Sequence, residues 1–220
     1  MFDQLSTEVR QLLLTISDKM LEKSKQQRLE AFRSLNADAS KQGIVFIGDS
    51  ITEHFPLSEM LQSKDMIYNR GIAGFTASEL LKHLQVMLYD LEPRKVFLMI
   101  GTNDMGKGAD PDSIAIRIEK ICEEIQKKLP QAELLIESVY PVNEQAAAAP
   151  FGIEARSNDK IIALNERIKD ICARKQLTYI AVFPQLIDEN GKLDESFTTD
   201  GLHLNIRGYG AVRQSISAFL

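Results

Sequence analysis

The chain has 220 residues, 44% hydrophobic and 26% charged, with 26 Lys and Arg against 31 Asp and Glu for a formal net charge of −5. That length favours one large domain with a substantial core, and the ordinary composition argues against a disordered or fibrous protein. The acidic balance, with no run of five like charges, argues against nucleic acid as a partner, because phosphate neutralisation needs clustered Lys and Arg.

The first residues lack a basic leader, and the longest early apolar run, Leu12 to Leu14, is too short for a signal core or a membrane span. A cytoplasmic protein with no stable membrane anchor is expected. Residues 3–36 place Leu5, Val9, Leu12, Leu13, Ile16 and Met20, then Leu29, Phe32 and Leu35, at steps of three and four. This spacing predicts amphipathic helix, broken near Ser24 to Arg28, that packs on the domain or on a second copy of it.

A strand–loop–helix rhythm follows. Short apolar runs at Ile44–Ile47, Met66–Tyr68, Val96–Ile100, Leu134–Val139 and Tyr179–Val182 read as strands. Helical patterns cover Ala77–Leu91, Asp112–Leu129, Ser157–Lys175 and Ile206–Phe219. Nearly continuous apolar strands between amphipathic helices indicate a parallel sheet covered on both faces, here a flavodoxin-like doubly wound α/β fold. Ligands are then expected at the carboxyl ends of the strands. One domain is expected, with 1–42 a helical appendage and 43–220 the core. The stretch Pro141 to Arg156, with two prolines, Gly152 and Ala146–Ala149, reads either as a substrate wall or as a tolerated surface insertion.

Chemistry-bearing residues cluster at those strand ends. The first strand runs into Gly48-Asp49-Ser50-Ile51-Thr52. Ser50 can be a helix N-cap or a nucleophile beside free backbone N–H groups. Thr52 excludes the G-x-S-x-G elbow of α/β-hydrolases. The second strand leaves through Gly71-Ile72-Ala73-Gly74-Phe75-Thr76, where the Gly74 N–H is closely approachable, and the third through Gly101-Thr102-Asn103-Asp104. Asn103 is a turn former or an amide donor to the same crevice. Near the C-terminus, Asp200-Gly201-Leu202-His203 puts a carboxylate three residues before an imidazole, close enough to fix its tautomer. His83 falls in a helix, and His54, four residues after Ser50, sits at the rim. Together these supply a hydroxyl nucleophile, an imidazole base, an orienting carboxylate and three oxyanion donors, the inventory of acyl transfer by a serine enzyme. Cys122 and Cys172, each beside isoleucine in a helical stretch, read as buried thiols, too few for a metal cluster or a disulfide framework.

These four blocks, spread over residues 44 to 212, resemble the SGNH (GDSL) hydrolase superfamily, and the GDSIT and NRGIAG wording resembles its bacterial platelet-activating-factor acetylhydrolase-like branch. The resemblance implies a three-layer α/β/α sandwich on a five-stranded parallel sheet, with the N-terminal helical stretch outside the shared blocks. It implies cleavage of a small-molecule carboxylic ester, short-chain in its acyl part, without metal or cofactor, and often a homodimer. Ser50 would be nucleophile, His203 base then acid, Asp200 its orienter; Ser50 N–H, Gly74 N–H and the Asn103 side chain would form the oxyanion hole. Asp49 would tie the blocks together and, with His54, Phe75 and Met105, border the substrate pocket. His54 and Phe75 stand where that branch often carries Gly or Asp. The same machinery fits a carbohydrate O-acetylesterase, a thioesterase or a lysophospholipase. A non-catalytic binding module of this fold and a flavodoxin-like cofactor domain are the readings from other classes, the latter opposed by the lack of a G-x-G-x-x-G after the first strand.

Overall fold

Alternate residues of the central strands face opposite ways, and both faces are covered. In the computed structural model, which describes residues 6–146 and 153–220, β1 (Ile44–Gly48) and β3 (Lys95–Met99) are buried throughout. Val45, Ile47, Val96 and Leu98 point to one face; Ile44, Phe46, Phe97 and Met99 point to the other. Phe46 and Phe97 stack with ring centroids 4.4 Å apart across the pair. Each fully buried side chain of this size contributes roughly 1.5–3 kcal/mol relative to exposure, so a strand buried on both faces holds its place strongly.

With β2 (Ile67–Gly71), β4 (Glu133–Glu137) and β5 (Thr178–Ile180) the sheet is five-stranded and wholly parallel in the order β2-β1-β3-β4-β5. The first face is covered by α1 (Thr7–Asn36), α4 (Ala77–Met87), α6 (Pro111–Lys128) and α7 (Asn158–Lys175). The other is covered by the short α2 (Ser50–Glu53) and α3 (Leu57–Met60) together with α8 (Ile206–Ile216). A short α5 (Thr102–Gly106) follows β3. This is the expected three-layer sandwich. The order reverses between β1 and β3, and register places Gly48 beside both Met99 and Gly71. Three strands therefore end abreast at the switch point, where open α/β sheets bind ligands.

Two expectations need correction. The N-terminal stretch is one unbroken 30-residue helix, about 45 Å long. Ser24 to Arg28 interrupts the apolar pattern but not the helix, because Lys, Gln and Arg are good helix formers and Lys25 is buried there by ion pairing. The predicted helix Ala77–Leu91 stops at Met87 and continues only as a 3₁₀ turn, Tyr89–Leu91. The rear of α1 contributes Leu29 and Phe32 to the core, whereas Val9, Leu12, Leu13, Ile16 and Met20 at its front are exposed. Leu5 lies outside the described residues, as does the 147–152 portion of the predicted substrate wall. Among the described residues no helix is long and apolar enough to cross a membrane.

Candidate active site

β1 ends at Gly48, where a Cβ would collide with Thr52 Oγ1 and the Met99 carbonyl, so only glycine lets α2 fold back this tightly. Asp49 then caps α2, its Oδ1 accepting from the Ile51 N–H at 3.0 Å. Ser50 is therefore not the N-cap of α2. The cap is made by its neighbour, and the Ser50 hydroxyl is left to meet another partner. Its own N–H lies in the first turn, where backbone donors lack intrahelical acceptors.

That partner is His203. Ser50 Oγ lies 3.0 Å from His203 Nε2, and His203 Nδ1 lies 2.7 Å from Asp200 Oδ2. The other carboxylate oxygen, Asp200 Oδ1, accepts the backbone N–H groups of Leu202 at 3.0 Å and His203 at 2.7 Å. Thr198 Oγ1 accepts from Gly201 N–H and donates to the His203 carbonyl, closing the loop on itself. Burial works to raise the Asp200 carboxyl, but the hydrogen bonds from the His203 ring and from two backbone groups outweigh it and hold the acid below its ordinary range. An ionised carboxylate can only accept, so in the neutral ring the tautomer that satisfies this bond carries its proton on Nδ1 and turns the Nε2 lone pair to the serine.

On the opposite side, Gly74 takes φ +76°, and its N–H has no hydrogen-bond acceptor among the described residues. Asn103, at the start of α5, donates from Nδ2 to the Phe75 carbonyl at 3.0 Å. A carboxamide nitrogen carries two N–H groups, so this bond orients the amide and leaves one donor over.

The four residues expected at the pocket fare differently. The His54 ring is exposed, with its centroid 5.3 Å from that of His203; partial burial and the His203 charge hold it below the ordinary imidazole value. Asp49, Phe75 and Met105, expected to border the pocket, present almost no surface to solvent. All three are buried: Asp49 under the α2 cap, Met105 in the core, and Phe75 against Lys25 and the His83 ring. The positive φ at Gly74 turns the next side chain away from the crevice. Desolvation pushes the fully buried Asp49 carboxyl up to about 7, and its Oδ2 has no hydrogen-bond partner among the described residues. Among the described residues no group of three or more His, Cys, Asp or Glu is arranged to hold a metal ion.

Residues 46–211 match the GDSL-like lipase/acylhydrolase family. The chain belongs to that family. A solved Streptococcus pneumoniae protein assigned as a platelet activating factor is 34% identical, with a TM-score of 0.88 over 94% of this chain and 98% of that one. A GDSL-like lipase from Bacteroides thetaiotaomicron shares the fold, with a TM-score of 0.75 over 86% and 95% of the two chains at 24% identity. An Escherichia coli N-acylneuraminate cytidylyltransferase is 25% identical over 94% of this chain and 48% of its own length. The Escherichia coli K12 thioesterase 1/protease 1/lysophospholipase L1 is 28% identical over 52% and 58%. The chain spans about half the length of these curated relatives.

Two residues that the sequence motifs did not mark also contact the candidate site of this GDSL-family chain. Arg156, at the far end of the Pro141–Arg156 stretch, donates from Nε to the Thr102 carbonyl at 3.1 Å and reaches the Asn103 Oδ1 at 3.5 Å, its guanidinium over Gly106. Glu53 Oε2 accepts the Ala73 N–H at 2.6 Å. Neither carries a local sequence signal, because each acts across a long separation on a backbone group or an amide.

Proposed function

We propose that the chain hydrolyses a carboxylic ester of short acyl length through Ser50. His203 Nε2 takes the Ser50 proton as Oγ attacks the ester carbonyl, and Asp200 stabilises the imidazolium that forms. The negative oxygen of the tetrahedral intermediate is received by Ser50 N–H, Gly74 N–H and the remaining Asn103 N–H. Collapse breaks the ester C–O bond, and His203 delivers its proton to the leaving alcohol. Water then attacks the acyl-serine with His203 again as base, releasing the acid and restoring the serine. The observation that carries this reading is the Asp200–His203–Ser50 relay, at 2.7 and 3.0 Å, beside unsatisfied backbone donors. Family membership supports the reaction class.

The test is stoichiometric labelling by a fluorophosphonate and turnover of short p-nitrophenyl esters. Ser50→Ala abolishes both, and Asn103→Ala lowers turnover by about 10²–10³, the usual consequence of losing one oxyanion donor. A Ser50→Ala protein with undiminished activity overturns the proposal.

A second reading keeps the chemistry and changes the substrate. The acetyl xylan esterase and the thioesterase/lysophospholipase among the similar proteins direct attention to carbohydrate O-acetyl esters and acyl thioesters. Comparing acetylated sugars, acyl-CoA and simple acyl esters by kcat/KM separates these, and a preference above tenfold assigns the class.

A further inference from the structure

We propose that α1 is a positioning element of the active site, clamping the loop that presents the Gly74 N–H. The proposal rests on reading Gly74 as an oxyanion donor. Within this loop the Ile72, Ala73, Phe75 and Thr76 N–H groups all have acceptors: the Gly48 carbonyl, Glu53, the Ile72 carbonyl and Glu79. Gly74 alone of these five lacks one, so the loop is fixed on both sides of the group it leaves available.

Three residues of α1 do much of the fixing. Leu21, Lys25 and Arg28 follow i, i+4, i+7 spacing and so share one face of the helix. Arg28 holds the start of the loop: its Nε donates to the Gly71 carbonyl at 2.6 Å and lies 3.3 Å from the Glu53 oxygen that accepts the Ala73 N–H. Leu21 holds the middle, its Cδ2 sitting 2.7 Å from where a Gly74 Cβ would stand. Lys25 holds the end: its side chain is only 2% exposed, and its ammonium pairs at 2.7 Å with Glu79. Glu79 Oε2 in turn accepts from the Thr76 N–H at 2.9 Å and from its hydroxyl at 2.6 Å.

The ionic arrangement is a strong one. Burial would lower the Lys25 ammonium, but bonds to Glu22 and Glu79 hold it above the ordinary lysine value; burial would likewise raise Glu79, but the bonds from Lys25 and Thr76 bring it down to about 2. Because Lys25 is buried while Glu79 is only partly exposed, separating the pair strands the Lys25 charge in the interior, so it fixes position more reliably than a surface pair. From the far side, Asn103 Nδ2 donates to the Phe75 carbonyl, so one proposed oxyanion donor is tied to the loop that carries the other. The helix outside the four motif blocks thereby acts on the reaction through the backbone, without touching substrate.

The test is Arg28→Ala, with Arg28→Lys as the conservative variant, assayed on a short p-nitrophenyl ester. Displacing a donor, not deleting it, lowers kcat by about tenfold with KM within twofold, since small misplacements weaken transition-state contacts more than substrate binding. Arg28→Lys recovers part of the loss. The second readout is the Gly74 amide resonance after reaction of Ser50 with a short alkyl fluorophosphonate, whose phosphoryl oxygen stands where the oxyanion forms. In wild type this resonance moves downfield on phosphonylation, and in Arg28→Ala it moves less. A wild-type resonance that does not move refutes Gly74 as a donor, and the clamp with it. A normal wild-type shift with unchanged kcat or an unchanged Gly74 shift in Arg28→Ala refutes the clamp alone. Should Arg28→Ala fail to fold, Leu21→Ala and Arg28→Lys carry the same comparison.

Discussion

Replacing Asp200 by Asn tests the relay through a proton position with little change in shape. Asp200 Oδ1 accepts two backbone N–H groups, from Leu202 at 3.0 Å and His203 at 2.7 Å. In Asp200→Asn the carboxamide must keep its oxygen there, because the reverse orientation would set an NH₂ group against two N–H donors. The NH₂ group then faces His203 Nδ1 at the 2.7 Å now spanned by the carboxylate bond. A ring nitrogen facing a donor must accept, so the imidazole proton moves to Nε2. There, 3.0 Å from Ser50 Oγ, it removes the lone pair that would take the serine proton. In the serine-protease template this tautomer error costs on the order of 10⁴ in turnover, or about 5.5 kcal/mol of barrier. We expect the same order in kcat on a short p-nitrophenyl ester, with circular dichroism and thermal midpoint close to wild type because both backbone bonds survive. Asp200→Ala, which imposes no tautomer, should lose no more than Asp200→Asn. An Asn variant within tenfold of wild type would refute this account of the relay.

Two further predictions concern buried groups outside the relay. Burial pushes Glu137 up to about 7 despite the Tyr140 hydroxyl donating to it at 2.5 Å, so the native state keeps a proton that the unfolded chain has lost. The stability this acid contributes is full below its ordinary value of 4.5 and is lost as pH rises through about 7. Glu137→Gln should flatten the fall in thermal midpoint between pH 5 and 8; part of the slope persists because Asp49 titrates in the same window, and an unchanged profile would refute the assignment. Burial likewise raises Cys122 to about 12 and Cys172 to about 11, so neither thiol should react with Ellman's reagent in the native protein, while both react on unfolding; a fast native equivalent would contradict this.

Much of the architecture, and the residues that the fold gathers at the candidate site, were legible in the chain itself. Runs such as Ile44–Ile47 and Val96–Ile100 have no polar face to offer solvent, so they read as two-sided strands, and parallel connection brings their ends together. The Asp200-to-His203 spacing is a local turn, and local turns are written in adjacent residues. What tertiary structure decided was direction and distant partnership. Phe75, Met105 and Asp49 neighbour active residues in sequence, yet a positive φ at Gly74 and the cap of α2 turn Phe75 and Asp49 inward, and Met105 packs into the core. Ser24 to Arg28 looks like a break because its residues are polar, whereas the Glu79 carboxylate that meets Lys25 and the Gly71 carbonyl that meets Arg28 lie more than forty positions away. Residue order alone determined which groups could do chemistry here. Only the packing of α1 and the Arg156 segment against the strand ends determined which backbone groups are held still for it, since those bonds depend on positions in space that no local pattern encodes.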